Sequence, residues 1–137
     1  MEGYLRELAS SLPPTRREYL AHQPARRMVE RLLQVVVQSA IDANALLVEG
    51  QSLLPPASAR ESFQMARDLG AIDEDVREKF HHYVAVRNLL VHQYDRLDDK
   101  RVWKDAQQLL QDAPLYIAQV RGYLSAKNAK KSPRNHQ

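Results

Sequence analysis

The 137-residue chain contains no cysteine. That excludes a disulfide framework and a thiolate metal site, and it favours a reducing compartment. There is also no HExxH pattern and no other close His/Asp/Glu cluster, so neither a transition-metal site nor another cofactor is expected. A Gly-rich phosphate loop and a G-x-S-x-G nucleophile turn are both missing, which removes the common phosphate-cradling and serine-hydrolase arrangements. The opening MEGYLRELASSL has no basic region followed by an apolar run, and no apolar stretch approaches the roughly 20 residues that span a bilayer. A cytoplasmic protein with no membrane association is therefore expected. No segment keeps the period-two alternation of a strand, and no internal repeat is present.

What is present is 44% hydrophobic residues in a length that suits one domain with a core of its own. The net charge of +3 is unevenly placed. Residues 126–137, AKNAKKSPRNHQ, carry Lys127, Lys130, Lys131 and Arg134 without an acid, leaving 16 basic against 17 acidic residues, or −1, in the rest. The expected organisation is a single helical domain over residues 1–125 and a basic C-terminal tail over 126–137. Such a tail suits RNA through counterion release, or is simply a solvated terminus.

Helical signals recur along the whole chain. Leu5, Leu8, Ala9 and Leu12 mark a first short helix that Pro13 and Pro14 stop. Thr15 with Glu18 forms a capping box that opens another turn or two of helix, and Pro24 suits the first turn of a long helix carrying Met28, Val29, Leu32, Leu33, Val36, Ala40, Leu46 and Leu47 as far as Gly50. Ser58 with Glu61 opens a helix that ends at Gly70. Asp73 caps the next, with Glu74 and Asp75 in its first turn, and Asp98 caps the last, which Pro114 should kink or restart. The expected fold is an all-α bundle of about five helices.

The chemistry concentrates in residues 80–94, FHHYVAVRNLLVHQY. Val76, Phe80, Tyr83, Arg87, Leu90 and Tyr94 step by 4, 3, 4, 3 and 4, the seam of a core-facing helix with a guanidinium in its middle. Arginine does not lose its charge by burial, so Arg87 needs anionic or carbonyl partners. Asp42 sits likewise on a seam with Met28, Leu32, Val35, Ser39 and Leu46. A buried structural ion pair between Asp42 and Arg87 and a functional pairing in which Asp42 orients Arg87 both fit. His92 lies five positions beyond Arg87, about 140° around an ideal helix, and meets it only if the helix ends nearby. His81 and His82 stand some 15 to 17 Å from His92 along the axis and read as ordinary, partly exposed residues.

The run Arg87-Asn88-Leu89-Leu90-Val91-His92-Gln93-Tyr94 resembles the R-x4-H-x-Y signature of HEPN-domain ribonucleases, specifically HepT-like toxins. The likeness extends over nearly the whole chain, through ARRMVERLLQVVVQSAIDANALL, SARESF and the aspartate-capped last helix. It implies an all-helical homodimer whose motif helices face each other, acting as a metal-independent endoribonuclease on RNA. It also implies a toxin–antitoxin pairing with a small MntA-like nucleotidyltransferase. On this resemblance Arg87 and His92 are catalytic, Asn88 supports the site, and Tyr94 accepts AMP from the antitoxin.

Elementary chemistry agrees with a dimer. Attack by a 2′-hydroxyl without a metal needs a base, an acid and a cation, and one chain supplies one usable histidine. A two-fold axis through the motif supplies two. The alternative expectation is a non-catalytic helical partner of a nucleotidyltransferase, with Arg87 sealed by Asp42 in a dry interface.

Overall fold

The computed structural model describes residues 1–92 and 98–131, and among them the backbone forms six α-helices and no strand. They are α1 (Glu2–Ser11), α2 (Arg16–Ala21), α3 (Gln23–Glu49), α4 (Ala59–Asp68), α5 (Glu74–His92) and α6 (Asp99–Lys131). Helix α3 packs against all five others and is the axis of the bundle.

Local chemistry sets most helix ends. The Thr15 side chain accepts from Glu18 N–H at 3.2 Å, and Ser58 accepts from Glu61 N–H at 3.1 Å. Asp73 Oδ1 accepts from Val76 N–H at 2.9 Å, and Asp98 Oδ1 from Lys100 N–H at 3.1 Å. Each such cap is worth about 0.5–2 kcal/mol. Gly70 closes α4 at φ 83°, a left-handed conformation that strains any residue with a Cβ. Its N–H donates to Arg67 O and that of Ala71 to Ala66 O, the paired bonds of a Schellman end.

The bundle is all-α as expected, and the turn opened by Thr15 forms its own short helix, Arg16–Ala21, which brings the helices among the described residues to six. His22, not foreseen as a cap, then opens α3 by accepting from Ala25 N–H on Nδ1 at 3.0 Å. Pro114 does not restart the last helix: α6 runs 33 residues through it, with Pro114 on the exposed side. Residues 126–131 continue that helix, where Lys127 Nζ lies 5.1 Å from the Tyr123 ring centroid. Finally, Met28 and Leu46 of α3 are exposed rather than in the core. Apolar residues surround α3 widely enough to make two stripes, and the stripe of Val29, Leu33, Val36, Val37, Ala40 and Val48 is the one buried. By length and composition α3 also passes as a membrane-spanning helix. Its packing against every other helix makes it the core helix of a bundle.

The core centres on stacked aromatics of α4, α5 and α6. Phe80 lies 5.1 Å from Phe63, 5.2 Å from Tyr116 and 5.4 Å from Tyr83, centroid to centroid. Their polar tips are satisfied internally. The Tyr83 O–H donates to the buried Asp112 carboxylate at 2.5 Å, which also lies 3.7 Å from Lys79 Nζ. The Tyr116 O–H is shared between Asn44 Oδ1 at 2.6 Å and Ala40 O at 3.1 Å, and Asn44 donates on to Ser62. On the outside, Trp103 Nε1 donates to Pro13 O at 3.1 Å, tying α6 to the α1–α2 turn.

Burial raises the ionisation of both phenols above the ordinary tyrosine range, and for Tyr83 the bond and charge of Asp112 push the same way. An unfolded tyrosine ionises near about pH 10, whereas these two keep their protons in the native state. Unfolding therefore releases protons above that pH, so their contribution is complete below about pH 10 and drains away as pH rises. Urea midpoints measured through this range should fall with pH, and tyrosinate absorbance from these two rings should appear together with unfolding.

Candidate functional site

Helix α5 places Val76, Phe80, Tyr83 and Leu90 in the core, as their spacing demands. Arg87 falls on the same stripe but is only half-buried. The reason is its neighbour: at this level α3 offers a glutamine in place of an apolar residue. Arg87 Nη2 donates to Gln38 Oε1 at 3.0 Å, and Arg87 Nη1 donates to Asn88 Oδ1 at 2.9 Å. Two amide oxygens thus hold the guanidinium in place, and among the described residues no carboxylate pairs with it.

Asp42 enters one step removed. Gln38 Nε2 donates to Asp42 Oδ1 at 2.9 Å, forming the chain Asp42–Gln38–Arg87–Asn88. Among the described residues no ion pair joins Asp42 to Arg87, and Asp42 is exposed, so the buried pair is not what the fold builds. Gln38 escaped the sequence reading. Its signal was present in the 4, 3, 4 spacing of Arg31, Val35, Gln38 and Asp42, but a polar residue on an amphipathic helix has no partner until the facing helix is known.

These side chains line an open cleft of about 350 Å³ between α3 and α5, with Tyr4 of α1 at its edge. Its charged groups are Arg31, Arg87 and Asp42, a net positive lining. Tyr4 and Val91 bring exposed apolar surface to the cleft, and Met28 and Leu46 are exposed elsewhere on α3. A cationic centre within an apolar margin suits an anionic ligand bound at a protein–protein contact.

His92 is the last residue of α5, exposed, and has no hydrogen bond to another described residue. No bond links it to Arg87 within the subunit. Tyr94 lies outside the described residues. His81 accepts from Arg77 Nη1 at 2.9 Å, and partial burial together with the Arg77 charge holds its pKa below the ordinary histidine value. His82 Nε2 bonds to Asp105 Oδ1 of α6 at 2.8 Å, on another face of α5. Among the described residues no group of three His, Asp or Glu side chains converges to hold a metal.

Comparison with known proteins places this geometry. The chain is 31% identical over 110 residues to the tRNA nuclease HepT of Aphanizomenon flos-aquae, covering 78% of this chain and 73% of that protein. Its fold matches the tri-AMPylated HEPN toxin of Shewanella oneidensis in complex with an MNT antitoxin, with TM-score 0.81 at 21% identity over 88% of this chain and 90% of the other. It also matches YutE of Bacillus subtilis, a cytosolic protein of unknown function, with TM-score 0.72 at 21% identity over 92% and 86%. The HepT-like ribonuclease model matches residues 1–120. The amide-held arginine of α5 and the histidine five residues on thus sit in a chain that belongs to the HepT-like ribonuclease family.

Proposed function

We propose that this protein is a metal-independent endoribonuclease and the toxin of a toxin–antitoxin pair, cutting RNA with Arg87 and His92 where two copies meet. The observation that carries this is the state of Arg87, which is positioned by Gln38 and Asn88 with its charge left for a ligand. A scaffold protein would gain most from an Arg87 neutralised by Asp42. The interposed amide argues against that arrangement and for a phosphate site. The relative from Aphanizomenon flos-aquae, named as a tRNA nuclease, supports the same activity.

In this reaction the 2′-hydroxyl loses its proton to one His92 and bonds to the adjacent phosphorus. The bond from phosphorus to the 5′-oxygen breaks, and that oxygen takes a proton from the second His92. The products are a 2′,3′-cyclic phosphate and a 5′-hydroxyl end. The two Arg87 guanidinium groups stabilise the charge gathering on the phosphoryl oxygens. Exposed Tyr4 and Val91 in the cleft provide apolar surface for the homodimer, while Asp42 anchors Gln38. The His92 side chain is exposed, so a second copy can approach the ring.

Control falls to Tyr94, two residues beyond His92. A nucleotidyltransferase antitoxin of the MntA kind transfers AMP to it: the phenol oxygen bonds to the α-phosphorus of ATP, its proton is lost, and pyrophosphate leaves. The added phosphodiester brings a negative charge and a bulky nucleoside beside a cleft that must accept RNA phosphate. The AMPylated toxin of Shewanella oneidensis supports this control. We place the protein in the cytoplasm with its RNA and its partner.

Purified protein should cut total RNA in EDTA. Arg87→Ala and His92→Ala, each shown to be folded by circular dichroism, should each lose on the order of 10²-fold or more in cleavage rate; undiminished cutting by both would end the nuclease assignment. Gln38→Glu should draw Arg87 into an ion pair without harm to the fold. Its affinity for a single-stranded RNA oligonucleotide should then fall, and the slope of log affinity against log salt should shrink by about 1. An unchanged slope would remove Arg87 from phosphate contact. Protein carrying stoichiometric AMP on Tyr94 should be inactive in the same assay, and full activity would rule out this mode of control.

A further inference from the structure

A second cleft, of about 420 Å³, opens between α5 and the first turns of α6 and plays no part in the mechanism above. We propose that it is a nucleobase subsite for the RNA strand being cut, selecting a base that bears an amino group, guanine first. The inference rests on the ribonuclease function proposed above.

Three observations lead there. The first is the lining. Val86, Leu89 and Val102 give an apolar floor, and His82, Arg101, Asp98 and Asp105 give a polar rim, the mixture that binds flat aromatic ligands with polar edges. The second is the state of the rim. The His82 ring is held by its bond to Asp105 Oδ1, whereas the Arg101 guanidinium has no side-chain partner among the described residues. Both are planar groups on which an unstacked base can lie. Asp105 spends one oxygen on His82 and Asp98 spends one capping Lys100, so among the described residues each retains an oxygen as an acceptor. Two carboxylates repel the sugar–phosphate chain but welcome the N–H groups on a base edge. Guanine presents N1–H and N2–H side by side to one carboxylate, and cytosine and adenine present an exocyclic amine. Uracil offers a single N–H between two carbonyls.

The third observation is position. Leu89 on the cleft floor is three residues before His92, so the two are neighbours on the surface of α5. Arg87 and Val91 face the phosphate cleft instead. His92 therefore stands at the end of α5 between the two clefts, and His82 lies about 15 Å back along the axis, a span that an RNA strand crosses in a few nucleotides. The apolar surface assigned to the homodimer lies on the Arg87 side, so the second cleft stays open in that dimer.

The test uses the intact wild-type protein, with Ala85→Trp, which fills the cleft from an exposed position on its wall, and Arg101→Ala, also exposed. Titration with the four nucleoside 5′-monophosphates, followed by NMR shifts of the α5–α6 amides, should show GMP binding about tenfold more tightly than UMP. Both substitutions should weaken that preference. In the cleavage assay Ala85→Trp should raise KM for a long RNA more than it lowers kcat, and should change which positions are cut. Shifts that do not distinguish GMP from UMP, or a cut pattern identical in wild type and both folded variants, would overturn the subsite while leaving the nuclease intact. Base-selective shifts from a wild-type protein that cuts no RNA would instead overturn the ribonuclease assignment and keep the cleft as a base site.

Discussion

The arrangement of the site follows from one constraint: an arginine side chain keeps its charge wherever the fold puts it. Arg87 lies on the stripe of α5 that elsewhere fills the core, so α3 has to present something other than a hydrocarbon at that level. A carboxylate would have satisfied the charge and cancelled it. An apolar residue would have stranded it. Gln38 lies between these extremes, because its carbonyl oxygen fixes the guanidinium and its amide nitrogen passes the connection to Asp42 at the surface. The result is a cation fixed by two amides and, among the described residues, paired with no carboxylate.

The rest of the fold supports that geometry from behind. Directly below Arg87 on the same stripe, Tyr83 is clamped to Asp112 of α6, and Phe80 packs into Phe63 and Tyr116. Tyr116 in turn bonds to the backbone and Asn44 of α3. The relative register of α3, α5 and α6 is therefore specified by directional bonds in addition to packing, and register is what brings Gln38 level with Arg87. Buried polar networks of this kind set uniqueness more than they add stability.

Features with a local cause were legible in the sequence. Thr15, Ser58, Asp73, Asp98 and Gly70 all act at the helix ends where their chemistry predicts, since a cap needs only its own next few residues. Features that depend on a partner element were not. Two apolar stripes on α3 could not be ranked until α5 and α6 were in place, so Met28 and Leu46 were misplaced inside. Of the kink or restart expected at Pro114, the restart does not occur: its ring sits on the exposed side of a helix whose opposite face packs on other helices, and tertiary packing overrides the local penalty. At the site, spacing exposed Arg87 as an anomaly, whereas only the facing helix could reveal Gln38, and the His82–Asp105 bond joins residues 23 apart in the chain.

The length of α6 sets a scale for the whole molecule. From Asp99 to Lys127 it rises about 42 Å, several times the screening length of about 8 Å in physiological salt. The cations near its far end therefore add nothing to the potential at its first turns, beside which α5 ends. The two ends of α6 therefore act electrostatically as separate surfaces, each presenting its own charge to whatever approaches it.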